Sequence, residues 1–116
     1  MPNHTRAMEE SRQRSAVLKE GSVQVMDLFM QIHDNVLRDN VLSFKTKELV
    51  AIGISIAIRC TCCLDHHVNL AIKAGASREE VIEAIEVAVL IGGGPSTHYG
   101  ALALEAYDEL KAAEKE

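Results

Sequence analysis

The stretch "IRCTCCLDHHVNLAIKAGAS", residues 58–77, holds all three cysteines of the chain and two of its five histidines. Its apolar residues recur at helical rather than alternating spacing, and Gly75 stands where a helix C-terminal cap belongs. On a wheel turning about 100° per residue, Cys60, Cys63 and His67 fall within roughly 60° of one another. Leu64, Val68 and Ala71 flank that stripe on one side, Leu70 and Ala74 on the other. Cys62 lands opposite, with Asp65, Asn69 and Lys73, and His66 lies near that polar edge. The stretch therefore predicts an inward Cys60–Cys63–His67 set and an outward Cys62–His66 pair with no assigned role. A buried cysteine or histidine taken singly is an ordinary core residue. Three on one stripe, two of them spaced to close a disulfide, point to chemistry.

Upstream, a helix from about Lys45 to Arg59 is apolar on nearly every side, which predicts a central position. Its polar residues Glu48, Ser55 and Arg59 share one stripe with Ile52. A carboxylate there is costly unless it is paired or functional. One straight helix over 45–74 would hold Glu48 about 18 Å from Cys60. For Glu48 to act with the cysteines, the chain must break near Arg59–Cys60, or the Glu must come from another subunit. A break would put Cys60 and Cys63 in the first turn of a new helix, where the positive dipole end stabilises a thiolate.

Further out, Ser77 and Glu80 form an S-x-x-E capping box for a helix over "REEVIEAIEVAVLI". "GGGP" (92–95) breaks that helix, and Pro95 suits the start of a last one. Towards the N-terminus, "RDNVLS" (38–43) reads as a loop. Before it comes a helix carrying Val25, Phe29, Ile32 and Val36, with Ser22 as its cap. Residues 1–20 read as a peripheral helix or tail. The expectation is a single all-α domain of five to six helices spanning residues 1–116.

Composition narrows the function. The net charge of −5 and only four aromatic residues argue against nucleic acid and anionic membranes as partners. The longest apolar run, residues 49–58, is too short for a membrane span of about 20 residues. A polar N-terminus without a signal-peptide core reads as cytoplasmic. In such a reducing compartment a cysteine cluster indicates redox or metal chemistry rather than a disulfide framework. His4 and His33 show no partner pattern and receive no role; His98, after the "GGGP" break, reads as a helix-start histidine rather than one lining a pocket from the last helix.

Glu48, eleven residues, Cys60-x-x-Cys63, three residues and His67 resemble the E-x11-C-x-x-C-x3-H signature of the alkylhydroperoxidase D-like proteins, in the carboxymuconolactone decarboxylase superfamily. The similarity extends over about residues 42–95. It implies an all-α fold assembled as trimers or hexamers. It also implies thiol-dependent reduction of hydroperoxides without metal or organic cofactor, with a dithiol carrier, lipoyl-bearing or thioredoxin-like, as reductant. By position, Cys63 becomes the attacking thiol, Cys60 the resolving one, and Glu48 with His67 the proton relay. Two features depart from the pattern. Cys62 sits inside the C-x-x-C, and the chain holds one copy of a unit that longer members carry twice. Three rival readings stand beside this one. The first is a metal-binding module using Cys60, Cys63 and His67 with His66 or Cys62. The second is a non-redox decarboxylase-type enzyme working through Glu48 and His67. The third is a scaffold without catalysis.

Overall fold

Six helices and no strand make up the described residues, 2–114, of the computed structural model. They are α1 (Asn3–Gly21), α2 (Val23–Val36), α3 (Phe44–Ala57), α4 (Thr61–Lys73), α5 (Arg78–Gly92) and α6 (Gly94–Ala113). Helices α3 to α6 enclose one core: α3 packs on α4 and α5, and α6 closes the ring against both. The core is built from Ile52, Ile56, Leu64, Val68, Val81 and a set of alanines, with Tyr107 donating its hydroxyl to the Ala76 carbonyl. Small residues set the approach of α5 and α6: a Cβ on Gly100 would lie 2.6 Å from Ile85 Cγ2. No helix among the described residues is long and apolar enough to cross a membrane.

The turn that shapes the site falls at Arg59. This residue adopts φ 59°, and its N–H reaches Ile56 O while the Cys60 N–H reaches Ser55 O. That is the paired hydrogen bonding of a Schellman ending, here with arginine at the position usually held by glycine. The same motif recurs at Gly75, φ 89°, where Gly75 N–H bonds Ile72 O and Ala76 N–H bonds Ala71 O. The chain thus breaks at Arg59–Cys60, and α4 folds back along α3. Arg59 is exposed beyond the helix end. It does not share the interior stripe of Glu48, Ile52 and Ser55, all of which are buried. Ser55 answers its own burial by donating to Ala51 O at 2.7 Å.

Other local signals hold to varying degree. The Ser77–Glu80 capping box forms with both of its reciprocal bonds. Pro95 occupies the second position of α6 rather than the first. Ser22 makes no side-chain cap bond, so α1 and α2 meet at a one-residue joint without it. Instead, Lys47 Nζ holds the far end of α2 by bonding Val36 O and Arg38 O at 2.8 and 2.9 Å. α3 is less central than its composition implies: Val50 and Ile54 are exposed, because nothing among the described residues covers that flank.

α1 docks by a polar lock. His4, 8% exposed, places Nδ1 2.6 Å from Asp65 Oδ1 and Nε2 2.6 Å from Glu105 Oε1. Glu109 accepts the His4 and Thr5 backbone N–H groups and the Thr5 hydroxyl, so a carboxylate of α6 caps α1. Asp65, assigned to the polar side by the wheel, is buried because α1 covers it. Burial opposes charge on His4. The hydrogen bonds to Asp65 and Glu105, helped by the Asp65 and Glu109 charges, outweigh it and raise the His4 pKa above 6.5. Burial raises the Asp65 pKa, and His4 offsets part of that shift.

Raised folded-state pKa values mean that the native state binds more protons than the unfolded chain. The stabilisation from His4 is complete below the unfolded pKa of 6.5 and is lost as pH rises through the higher folded value. Urea denaturation from pH 6 to 8.5 should therefore show wild type losing stability relative to a His4→Gln/Asp65→Asn double variant. A constant difference across that range would refute the lock.

Candidate functional site

Cys60 is the N-cap of α4, and its Sγ accepts the Cys63 N–H at 3.3 Å. Cys63 follows in the first turn, and the two sulfurs are joined in a disulfide with Cα atoms 5.2 Å apart. Both cysteines are half-buried, while Cys62, between them in the same turn, is exposed with a free thiol. Cys62 nevertheless turns its Sγ to within 3.6 Å of Cys60 Sγ. The Cys63 N–H, one of the first-turn amides of α4, thus sets partial positive charge against Cys60 Sγ.

His67 lies one turn beyond Cys63 on α4. Its Nδ1 is 2.7 Å from Glu48 Oε1, across the α3–α4 contact and within one chain. Glu48 is fully buried, and its Oε2 has no hydrogen-bond partner among the described residues. The Glu48 bond fixes the His67 ring and directs Nε2 as the free nitrogen. The four residues singled out by spacing thus occupy one locale: the disulfide at the head of α4, the imidazole one turn on, and the carboxylate behind it.

Two histidines without a sequence-based role join them. His33, in the last turn of α2, places Nε2 2.9 Å from His66 Nε2, while Asp34 Oδ1 lies 3.0 Å from its Nδ1. The His66 and His67 rings meet edge to face at 4.9 Å, and His33 stacks on His67 at 6.4 Å. Desolvation among these rings, and then the charges of His67 and His33, hold the His66 pKa below 6.5, although part of the side chain remains exposed. A gap of 33 residues between His33 and His66 leaves no periodic trace. Only the adjacency of His66 to His67 could have drawn attention to them. His98 is exposed, in ring contact with Tyr99, away from this group.

Comparison with known proteins places these features in context. Residues 24–106 match the model of the carboxymuconolactone decarboxylase family. An uncharacterized Cupriavidus necator protein is 31% identical over 93% of this chain and 95% of its own length. A carboxymuconolactone decarboxylase family protein from Legionella pneumophila, solved in its apo form, superimposes with TM-score 0.89 at 33% identity. It covers 92% of this chain and 96% of its own. A family protein from Thermotoga maritima, for which an involvement in antioxidative response has been suggested, superimposes with TM-score 0.84 at 28% identity. That match covers 94% of this chain and 93% of the other.

The Glu48–His67 bond carries a measurable load. Removing the imidazole in His67→Ala leaves a buried carboxylate unpaired, at a cost of about 3–5 kcal/mol. Adding Glu48→Gln should recover part of that loss, since a neutral amide tolerates burial better than an anion. Urea unfolding of the two single variants and the double variant measures this, and additive losses would contradict the pairing.

Proposed function

The chain belongs to the carboxymuconolactone decarboxylase family, and we propose that within it this protein is a thiol-dependent peroxidase acting on organic hydroperoxides. The observation that carries this reading is the Cys60–Cys63 disulfide at the N-terminus of α4, one turn from an imidazole backed by buried Glu48. In the reduced protein His67, held by Glu48, accepts the Cys63 proton. The Cys63 thiolate attacks the distal oxygen of the hydroperoxide, and the O–O bond breaks. The sulfur is oxidised to sulfenic acid, and the alkoxide leaves as an alcohol after taking the proton from His67. Cys60 then attacks the sulfenic sulfur, forming the disulfide and releasing water.

A dithiol carrier, lipoyl-bearing or thioredoxin-like, restores the pair by exchange. Attack on Cys63 Sγ expels Cys60 as a thiolate already placed to accept the Cys63 N–H, so the cap suits Cys60 as leaving group. The reaction needs no metal or organic cofactor, and the cycle belongs to a reducing compartment, the cytoplasm.

Thiol counting before and after one equivalent of an alkyl hydroperoxide tests this reading. Wild type should lose two thiols per chain and yield a Cys60–Cys63 cross-linked peptide. Cys63→Ser should lose none, and Cys60→Ser should stop at sulfenic acid, trapped by a 1,3-dione reagent. Glu48→Gln should slow the first step about 100-fold, the scale of a positioned acid–base group. Turnover of a carboxylactone that survives loss of both cysteines would favour the decarboxylase-type reading instead.

The reading extends to assembly. α2 has no buried residue, its backbone approaches only α1 among the described helices, and Leu28, Phe29 and Ile32 remain more than half exposed. Between α3 and α5 runs an open groove of about 590 Å³ lined by Leu49, Val50, Ile54, Val87 and Ile91. We propose that α2 of a second copy fills that groove in a homo-oligomer, a trimer or hexamer. Light scattering should find wild type above monomer mass and Phe29→Glu at monomer mass; a monomeric wild type would refute the assembly.

A further inference from the structure

Cys62 has no part in the peroxidase cycle, yet its sulfur does not point away from the other two. The Sγ atoms of Cys60, Cys62 and Cys63 all lie within 4.8 Å of one another, the one such group of potential ligand atoms among the described residues. Tetrahedral zinc with thiolate bonds of about 2.3 Å sets neighbouring sulfurs about 3.8 Å apart. The Cys60–Cys62 separation of 3.6 Å already approximates one edge of that figure. Once the disulfide is reduced, Cys63 Sγ needs only to relax from bonding distance to complete the face.

The setting also favours the charge. Ligation of a divalent d10 cation by three thiols releases three protons and leaves a complex of net charge −1. That charge sits at the N-terminus of α4, where the helix dipole stabilises anions. Cys62 is exposed, so a cation reaches the sulfurs from solvent without any opening of the fold. The fourth position stays open to water or a small thiol.

We propose that the reduced protein binds one thiophilic d10 cation, of the zinc or cadmium type, through Cys60, Cys62 and Cys63, and that this cation and the Cys60–Cys63 disulfide exclude each other. Oxidation leaves only the Cys62 sulfur as a thiol, so the disulfide closes the site. Ligation occupies Cys63, so the metal shields it from peroxide. The site itself requires only reduced thiols; its effect on turnover rests on the peroxidase reading.

The test titrates cadmium into the full chain, reduced and freed of reductant under anaerobic conditions, against a competing chelator. Wild type should take up one cadmium per chain with growth of a sulfur-to-cadmium absorption band. The disulfide form should show neither. Cys62→Ser and Cys62→Ala should bind more than about 100-fold more weakly, a loss beyond that typical of changes outside the ligand shell. Circular dichroism of the two exposed-site variants excludes unfolding as the cause.

Equal binding by the oxidised protein or by either variant overturns the proposal, as does a wild type with three titratable thiols and no band. Peroxide-driven disulfide formation in the metal-free protein is measured in parallel. Its absence alongside normal cadmium uptake sinks the peroxidase and leaves the metal site standing. In a peroxide-reactive protein, bound cadmium should slow thiol oxidation at least tenfold, and an unchanged rate overturns the exclusion.

Discussion

The contact on which this site depends is a single hydrogen bond between two antiparallel helices, Glu48 on α3 to His67 on α4. A fully buried carboxylate is tolerated only when something answers its charge. Here the answer comes from 19 positions further on, so the pair couples helix packing to site geometry. Were α3 and α4 to slide by one turn, the carboxylate would be stranded and the imidazole would lose its orientation together. The bond exists because Arg59 takes a left-handed conformation that ends α3 and reverses the chain within three residues. Arginine there gives up the conformational ease that Gly75 provides at the equivalent turn after α4. The reversal also delivers Cys60 to the cap of α4. One strained residue therefore fixes both where the sulfurs sit and what faces the imidazole.

What could be read from sequence follows how local each determinant is. The capping box at Ser77 and the glycine ending at Gly75 each depend on residues within one turn of each other, whereas the break at Arg59–Cys60 followed only from asking Glu48 to act with the cysteines within one chain. The apolar stripe through Leu64, Val68 and Ala71 obeys a period that the chain itself carries, and those residues are buried as the period requires. The wheel failed at Asp65, because it describes a helix in isolation and cannot register a neighbour 61 residues away. α1 lays His4 on that position and turns an apparent solvent face into an interior one. His33 was invisible for the same reason. The error at Arg59 differs in kind: the wheel extended a helix past the residue that ends it.

Two kinds of polar cluster therefore meet on α4, one on each side. On one side His4, Asp65, Glu105 and Glu109 share protons and backbone donors to hold α1 in place. On the other, the rings of His33, His66 and His67 meet, and the sulfurs of Cys60, Cys62 and Cys63 gather at the head of α4. In the first cluster His4 and Asp65 are buried and Glu105 stays exposed at the rim, an arrangement that attaches α1. The second has exposed members, Cys62 and His66, and an oriented inner member, His67.

α2 links the second cluster to an exposed apolar surface. Its apolar stripe faces solvent, and its last turn supplies His33 to the imidazole cluster. The helix is held at its two ends by the α1 joint and by Lys47, and along its length by the Lys19–Asp27 ion pair, while Leu28, Phe29 and Ile32 stay more than half exposed. Whatever covers Leu28, Phe29 and Ile32 will consequently fix the height of His33 over His66. Burying such a stripe stabilises by roughly 25 cal/mol per Å² of apolar surface, ample to bias one side-chain contact at its end. Packing at a surface that the described residues leave open thus bears on the ring that meets His66.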